Sequence, residues 1–221
     1  MTQKQLKQLR EKKILTAVMA VLVAISGYCA YNIITILQEY HESEMEYKSI
    51  IDDVIVNADT VELEDHTKDA YLIVDHDKLS ARNSDYVGWI RIPDSNVNYP
   101  VVRATDNDWY LIRSFEGSWN GSGSIFMDFE NAADWSDFHT IIYGHHMKNQ
   151  TMFWYLNQFR YQDVWDSHRT VEIYRSGKVY IYEIFSFYKA QADDDTYKVK
   201  FSSDQQRSDW LSFVTSSSMY N

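Results

Sequence analysis

A histidine directly follows a run of strand-forming residues in the second half of the chain. Thr140–Tyr143 is β-branched and aromatic, and Gly144 and His145 come next. This pattern is typical of a buried strand that delivers an imidazole to its exposed end. Histidine has the unperturbed pKa nearest neutrality, so His145 is a candidate general acid or base. The partner expected for it is a cysteine thiolate, yet the single cysteine, Cys29, lies in an apolar segment near the N-terminus.

The other histidines are weaker candidates. Successive strand residues point to opposite faces, so His145 and His146 should not both line one cleft. A zinc site at this pair is disfavoured for the same reason, and no third ligand stands at a suitable spacing, so we predict no metal and no cofactor. His139 and His168 are expected at the surface. Taken alone, His145 could also be a strand-end histidine whose hydrogen bonds go to the backbone.

The N-terminal region has the charge pattern of a membrane anchor. Residues 14–37 carry no charged side chain and are long enough to cross a bilayer as a helix. Basic residues precede this run and acidic residues follow it, which predicts a cytoplasmic tail at 1–13 and an extracellular C-terminal part. A cleaved signal peptide is the rival interpretation. It is disfavoured because the apolar run is longer than a typical signal core and no clear Ala-x-Ala site closes it.

The remaining chain divides into a stalk and a globular domain. Residues 38–80 are rich in acids and helix formers, and Ile50, Ile51, Val54 and Ile55 recur at helical spacing, which predicts a helical stalk. A solvated linker is the alternative for residues 38–48. Residues 81–221 have a different texture, with short β-type runs separated by turn residues, and we assign them to one domain.

The domain is predicted to be mainly β. Its candidate strands are residues 86–92, 97–102, 124–128, 140–143, 170–174 and 178–188. Ser176 and Gly177 between the last two predict a hairpin. Two helices are predicted, one with an apolar face over 152–159 and Thr151 as its N-cap, and one around Trp210. Many short strands with few helices predict a closed or nearly closed β-barrel.

Charge and cysteine content narrow the class of protein. The net charge is −11, and the acidic excess lies beyond the basic tail, which argues against nucleic acid as a partner. No cysteine follows Cys29, so the predicted extracellular domain contains no disulfide. Among exported proteins, this composition fits the surface of a Gram-positive cell better than a disulfide-stapled secreted domain.

Several segments, in this order, resemble class B sortases, the membrane-anchored cysteine transpeptidases of Gram-positive bacteria. They are Val87–Pro93, Asn98–Val102, Asp106-Asn107 with Tyr110-Leu111, Gly123–Asp128, Tyr143–Lys148, Thr151–Phe153, Ile184–Tyr188 and the Trp210 helix. The resemblance covers residues 45 to 221, and the ordered set is specific where Gly-His alone would be weak. It implies a sortase-type β-barrel with short helices, preceded by a transmembrane helix and a helical stalk.

The resemblance also implies a site that combines His, Cys and Arg. The His that follows Tyr-Gly is His145 in this chain. The Cys belongs to a Thr-Leu-Ser/Thr-Cys strand and the Arg to the strand after it, and both are expected beyond Asn221. The barrel would then be incomplete within these residues, and we expect the 221 residues alone to be inactive. The alternative is a membrane-tethered β-barrel that binds a peptide or wall component without cleaving it.

The family's substrate groove maps onto four further positions. They are Asn107, Leu111, Tyr143 and Tyr197, each with a capping, core or surface role as its alternative. Asp128 closes a strand, and a turn-capping role is expected for it. The implied partners are surface proteins that carry a sorting signal, with a peptidoglycan precursor or a pilin as the source of the amine. The implied location is the cell membrane, crossed once.

Overall fold

The computed structural model describes residues 2–57 and 71–220, and it divides into two compact units. The first unit ends at Glu42 and the second begins at Ser43. Helix α1, Gln3–Val54, begins in the first unit and ends in the second. Part of the predicted stalk, residues 58–70, lies outside the described residues.

The N-terminal unit is a single apolar helix. Among the described residues, α1 is the helix long and apolar enough to cross a membrane, with a window of mean hydropathy 2.0 that is not buried by the protein. The predicted anchor at 14–37 falls inside it, which is consistent with membrane anchoring. The helix continues through residues 38–54, where the sequence left a stalk helix and a linker open.

The last turns of α1 belong to the C-terminal unit and pack within it. Ser43, Tyr47, Ile50 and Val54 are buried and recur every three or four residues, so they form one face of the helix. The Tyr47 ring meets the Tyr99 ring edge to face, with centroids 5.1 Å apart. The helix ends at Val54 because the following residues, predicted as its continuation, form a strand instead.

The C-terminal unit is built on two sheets. A small sheet pairs β1, Ile55–Asn57, with β2, Leu72–Val74, and helix α2, His76–Arg82, follows. The main sheet contains β3 Tyr86–Arg91, β4 Asn98–Val102, β5 Ile125–Met127, β6 Ile142–Tyr143, β7 Thr170–Arg175 and β8 Lys178–Glu183. Its strand order is β6-β5-β4-β3-β7-β8, and β4 and β5 are its parallel pair.

This sheet confirms the predicted mainly β fold. It is mixed and curls into a half-barrel, with β6 and β8 at its edges in the described chain. The predicted hairpin joins β7 to β8, and Ser176 and Gly177 have φ of 51° and 71°, as a two-residue primed turn requires. Two strands are shorter than predicted: β6 begins at Ile142 and β8 ends at Glu183.

Short helices lie between and after the strands of the main sheet. The predicted helix over 152–159 is a 3₁₀ helix, Phe153–Arg160, and α3, Gln162–Ser167, follows it. Its predicted cap was wrong, because Met152 stands at the N-cap and the Thr151 hydroxyl donates to the Asn149 side chain. Two further 3₁₀ turns are Trp109–Leu111 and Asp195–Tyr197. The predicted Trp210 helix is α4, Asp204–Ser216, capped by Ser203.

Candidate active site

Tight packing around Gly144 fixes the backbone that carries His145. A Cβ at Gly144 would lie 2.4 Å from Ile125 Cδ1 and 2.7 Å from Phe153 Cδ2, so only glycine fits there. The next residue is anchored as well, since the backbone N–H of Phe153 donates to the carbonyl of His145 at 2.9 Å. The chain therefore leaves β6 at one defined point, and the imidazole of His145 projects half-exposed from the edge of the sheet.

A backbone carbonyl defines which nitrogen of His145 is available. His145 Nε2 lies 2.7 Å from the carbonyl oxygen of Leu111. A carbonyl oxygen only accepts hydrogen bonds, so Nε2 carries a proton in both charge states of the ring. The proton that the ring can exchange is therefore the one on Nδ1. The wall beside the ring is Gly123, where a Cβ would come 3.0 Å from His145 Cδ2.

Asp128 links two of the predicted groove residues. Its Oδ2 accepts from Asn107 Nδ2 at 2.8 Å and from the Tyr143 hydroxyl at 2.9 Å. Its Oδ1 accepts from the backbone N–H of Glu130 at 2.8 Å, which is the turn-capping contact expected from the sequence. The side-chain contacts go beyond that expectation, because they tie the residue after β5 to the strand that delivers His145.

Tyr143 ends β6 two positions before His145. The Tyr143 ring stacks on Tyr197, with centroids 6.5 Å apart and planes 19° apart. Burial, and then the hydrogen bond to the Asp128 carboxylate, raise the pKa of the Tyr143 phenol, so it remains protonated at neutral pH.

The predicted site residues therefore lie in one connected region. Leu111 meets His145 through its carbonyl, Asn107 and Tyr143 share the Asp128 carboxylate, and Tyr197 stacks on Tyr143. His146 is exposed and bridges to Met152, apart from these contacts. The arrangement offers an imidazole for proton transfer, and the neighbouring chain segments carry a set of oriented amide, phenol and aromatic groups.

Comparison with known proteins decides the family. A family model described as the sortase domain matches residues 90–221. The chain belongs to the sortase family. It is 29% identical over 213 residues to Sortase B of Staphylococcus aureus, a match that covers 96% of this chain and 84% of that protein.

Two solved structures agree with this assignment. Sortase B from Bacillus anthracis in complex with AAEK1 has a TM-score of 0.70 and 29% identity, and the match covers 84% of each chain. A Staphylococcus aureus sortase B–substrate complex has a TM-score of 0.63 and 34% identity, and the match covers 66% of this chain and 67% of that one. The protein is thus a class B sortase, an enzyme of the cysteine transpeptidase family.

An apolar groove in this sortase lies against the inner face of the half-barrel. Two adjoining cavities of about 560 and 520 Å³ share Ile90, Ile142, Val171 and Ile184 in their lining. The larger one also reaches Val214 of α4. Because Ile142 directly precedes Tyr143, the groove begins at the strand that carries the histidine.

Sequence patterns gave no signal for some of these contacts. The Leu111 carbonyl and Gly123 reach His145 from a loop more than twenty positions away along the chain. The side-chain partners of Asp128 were likewise not expected. The burial of Asp128 would have indicated such partners, because a buried carboxylate needs hydrogen-bond donors. The sequence alone does not show whether one residue at the end of a strand is buried.

His139 corrects a sequence expectation and gives a pH prediction. It was predicted at the surface, but it is half-buried, its ring centroid 4.2 Å from that of Trp210, and its Nδ1 donates to the Lys198 carbonyl. Burial lowers the pKa of His139 below its ordinary value of 6.5. Its lowered pKa means that the unfolded chain binds the proton more readily, so stability is lost as pH falls below about 6.5.

We therefore expect His139→Gln to flatten the loss of stability on the acid side. The glutamine amide can still donate to the Lys198 carbonyl but does not titrate. Denaturant unfolding of the wild type and the variant at pH 7.5 and at pH 5.5 gives the drop in the free energy of unfolding for each protein. We expect the drop to be smaller in the variant. Equal losses in the wild type and the variant would contradict the assigned role of His139.

Proposed function

We propose that this sortase cleaves a sorting signal at a Thr residue and joins the acyl product to a cell-wall or pilin amine, with His145 as its acid and base. The proposal rests on one observation above all: the Leu111 carbonyl holds His145 Nε2 and leaves Nδ1 for proton exchange, while Tyr143, two residues earlier in the chain, is joined to Asn107 through Asp128 and stacks on Tyr197. The Staphylococcus aureus sortase B–substrate complex supports a bound substrate for the same fold.

The reaction divides into two acyl transfers. In the first, a cysteine thiolate attacks the Thr carbonyl carbon, the C–N bond breaks, and the imidazolium of His145 gives its Nδ1 proton to the leaving nitrogen. In the second, an amine attacks the thioester, its proton passes to Nδ1, and the thiolate leaves. The bond from Nε2 to the Leu111 carbonyl keeps the ring in one orientation through both steps.

The test is an acyl-transfer assay in membranes. The enzyme is the chain extended by a C-terminal segment with the Cys and Arg that the resemblance implies, and the substrates are labelled Thr-containing peptides with an added amine. We expect an amide product and a thioester intermediate. Peptide binding without cleavage would favour the alternative of a non-catalytic binding domain.

The 221-residue chain is the internal control of this assay. Its one thiol, Cys29, lies in the candidate membrane span, so we expect neither a thioester nor an amide product from it. A Cys29→Ser variant serves as the matched blank. If the 221-residue chain and its Cys29→Ser variant both formed product, and His145→Ala abolished it, the chain would contain another nucleophile.

We also propose that the chain crosses the membrane once, with the basic tail inside and the domain outside. The support is the apolar window of α1 together with Lys4, Lys7, Arg10, Lys12 and Lys13 before it. Protease added to intact protoplasts should remove the domain and leave a protected N-terminal fragment. A domain that is cut only after lysis would reverse the orientation.

A further inference from the structure

Asp128 is a buried carboxylate whose burial a turn cap does not explain. Its exposed fraction is 5%, and no lysine, arginine or histidine of residues 2–57 and 71–220 forms an ion pair with it within 4.0 Å. A buried charge is costly unless several hydrogen bonds compensate it. Asp134 makes the same kind of turn bond, to the N–H of Ser136 at 3.1 Å, but at the surface.

The carboxylate sets the direction of both hydrogen bonds it receives. Because it only accepts, the Asn107 amide must turn Nδ2 toward it, and the Asn107 Oδ1 then accepts from the Phe129 N–H at 3.0 Å. Tyr143 uses its hydroxyl proton on the same oxygen. Asn107 therefore keeps one N–H to offer, while Tyr143 has only oxygen lone pairs left.

These two groups are tied to the segments that hold His145. Tyr143 ends β6 two positions before His145. Asn107 directly precedes Asp108, the cap of the turn that contains Leu111, whose carbonyl holds His145 Nε2. One donor and one acceptor are therefore fixed on the same carboxylate oxygen, and one residue of an extended peptide presents the matching C=O and N–H on one side.

We propose that Asp128 is a positioning residue, and that the Asn107 N–H and the Tyr143 oxygen it orients bind the backbone C=O and N–H of one residue of the sorting peptide. This inference rests on the proposed function, because it names the part of the peptide that the same site recognises. Asp128 itself acts through its two partners and does not touch the peptide.

An N-methyl scan of the peptide tests the Tyr143 half of the proposal. The full chain in detergent is titrated with short fluorescein-labelled Thr-containing peptides, each methylated at one backbone nitrogen. We expect one methylation to weaken binding about tenfold, because it removes the N–H that Tyr143 accepts. In Tyr143→Phe the same methylation should cost nothing further. If each methylation weakened binding equally in the wild type and in Tyr143→Phe, the proposal would be overturned.

Variants of Asp128 test the positioning role. Asp128→Ala should weaken binding of the unmethylated peptide about 10–100-fold, because the two neutral hydrogen bonds from Asn107 and Tyr143 to the peptide lose their orientation, and it should abolish the methyl effect. Asp128→Asn keeps one acceptor and should fall between. Asp134→Ala loses the same turn bond away from the site and should change neither. Asp128→Ala with unchanged affinity and an intact methyl effect would show a purely structural residue.

A second measurement separates failure of this inference from failure of the proposed function. In the chain labelled with ¹³Cζ-tyrosine, the Tyr143 signal is assigned by its loss in Tyr143→Phe, and its chemical shift at neutral pH reports the hydrogen bond from the phenol to Asp128. Asp128→Ala should shift the Tyr143 signal, and Asp134→Ala should not. If no peptide binds the wild type but this shift appears, the proposed function fails and the positioning contact stands. An absent shift sinks the positioning role whether or not peptides bind.

Discussion

His145→Ala is expected to lower transpeptidation by about 10²–10⁴-fold, the usual contribution of a positioned general acid or base. The reason is the single exchangeable proton at Nδ1, which must reach the leaving nitrogen in one step and return from the amine in the next. The backbone at this point is held by Gly144 and by the Phe153 N–H, so removal of the imidazole leaves the strand in place.

Two matched variants make this prediction specific. His146→Ala removes the exposed neighbouring imidazole and should retain most activity, because His146 has no contact with the site. His145→Gln can still donate to the Leu111 carbonyl but cannot exchange a proton, so it should bind peptide normally and turn over as slowly as the alanine variant. Single-turnover acyl transfer in the extended chain measures all three. Equal losses from His145→Ala and His146→Ala would reject the assignment.

The sequence predicted those elements whose signal is local. The β7–β8 hairpin follows from the Ser176-Gly177 turn pair, and the helix predicted around Trp210 is α4. The placement of His145 after a short strand follows from Thr140–Tyr143. Each of these depends on neighbours within a few positions, which is the range over which turn and cap chemistry acts.

Contacts between distant segments could not be predicted from such patterns. The end of α1 at Val54 depends on pairing of the next residues with β2. The grouping of Asn107 and Tyr143 came from the family resemblance alone. That Asp128 joins them is seen only in the structure. The same holds for the Leu111 carbonyl, because every residue has a backbone carbonyl and the sequence does not show which one meets His145.

Gly123→Ala is the second change for which we expect a large effect. Gly123 has φ of +59°, a left-handed conformation that costs an L-residue about 1–2 kcal/mol. In addition, a Cβ there would lie 2.7 Å from the carbonyl oxygens of both Tyr110 and Leu111. Overpacking against rigid backbone adds about 1–3 kcal/mol, so we expect a total loss of about 2–5 kcal/mol in the free energy of unfolding.

The same substitution should also disturb the site. The Leu111 carbonyl is the atom that holds His145 Nε2, so the methyl group must either displace this carbonyl or move Gly123 away from the imidazole. Either movement frees the ring, and we expect activity measured well below the unfolding temperature to fall together with a change in the ¹³Cε1 signal of His145.

Gly117→Ala separates the two causes. Gly117 lies on the same segment with φ of +81°, but nothing stands within 4 Å of its added Cβ, so it suffers the conformational cost without the clash. We expect this control to lose only about 1–2 kcal/mol and to leave the His145 signal unchanged. If both alanine variants lost equal stability, strain alone would account for the glycine. The close approach of Gly123 to the Leu111 carbonyl would then have no part in holding His145.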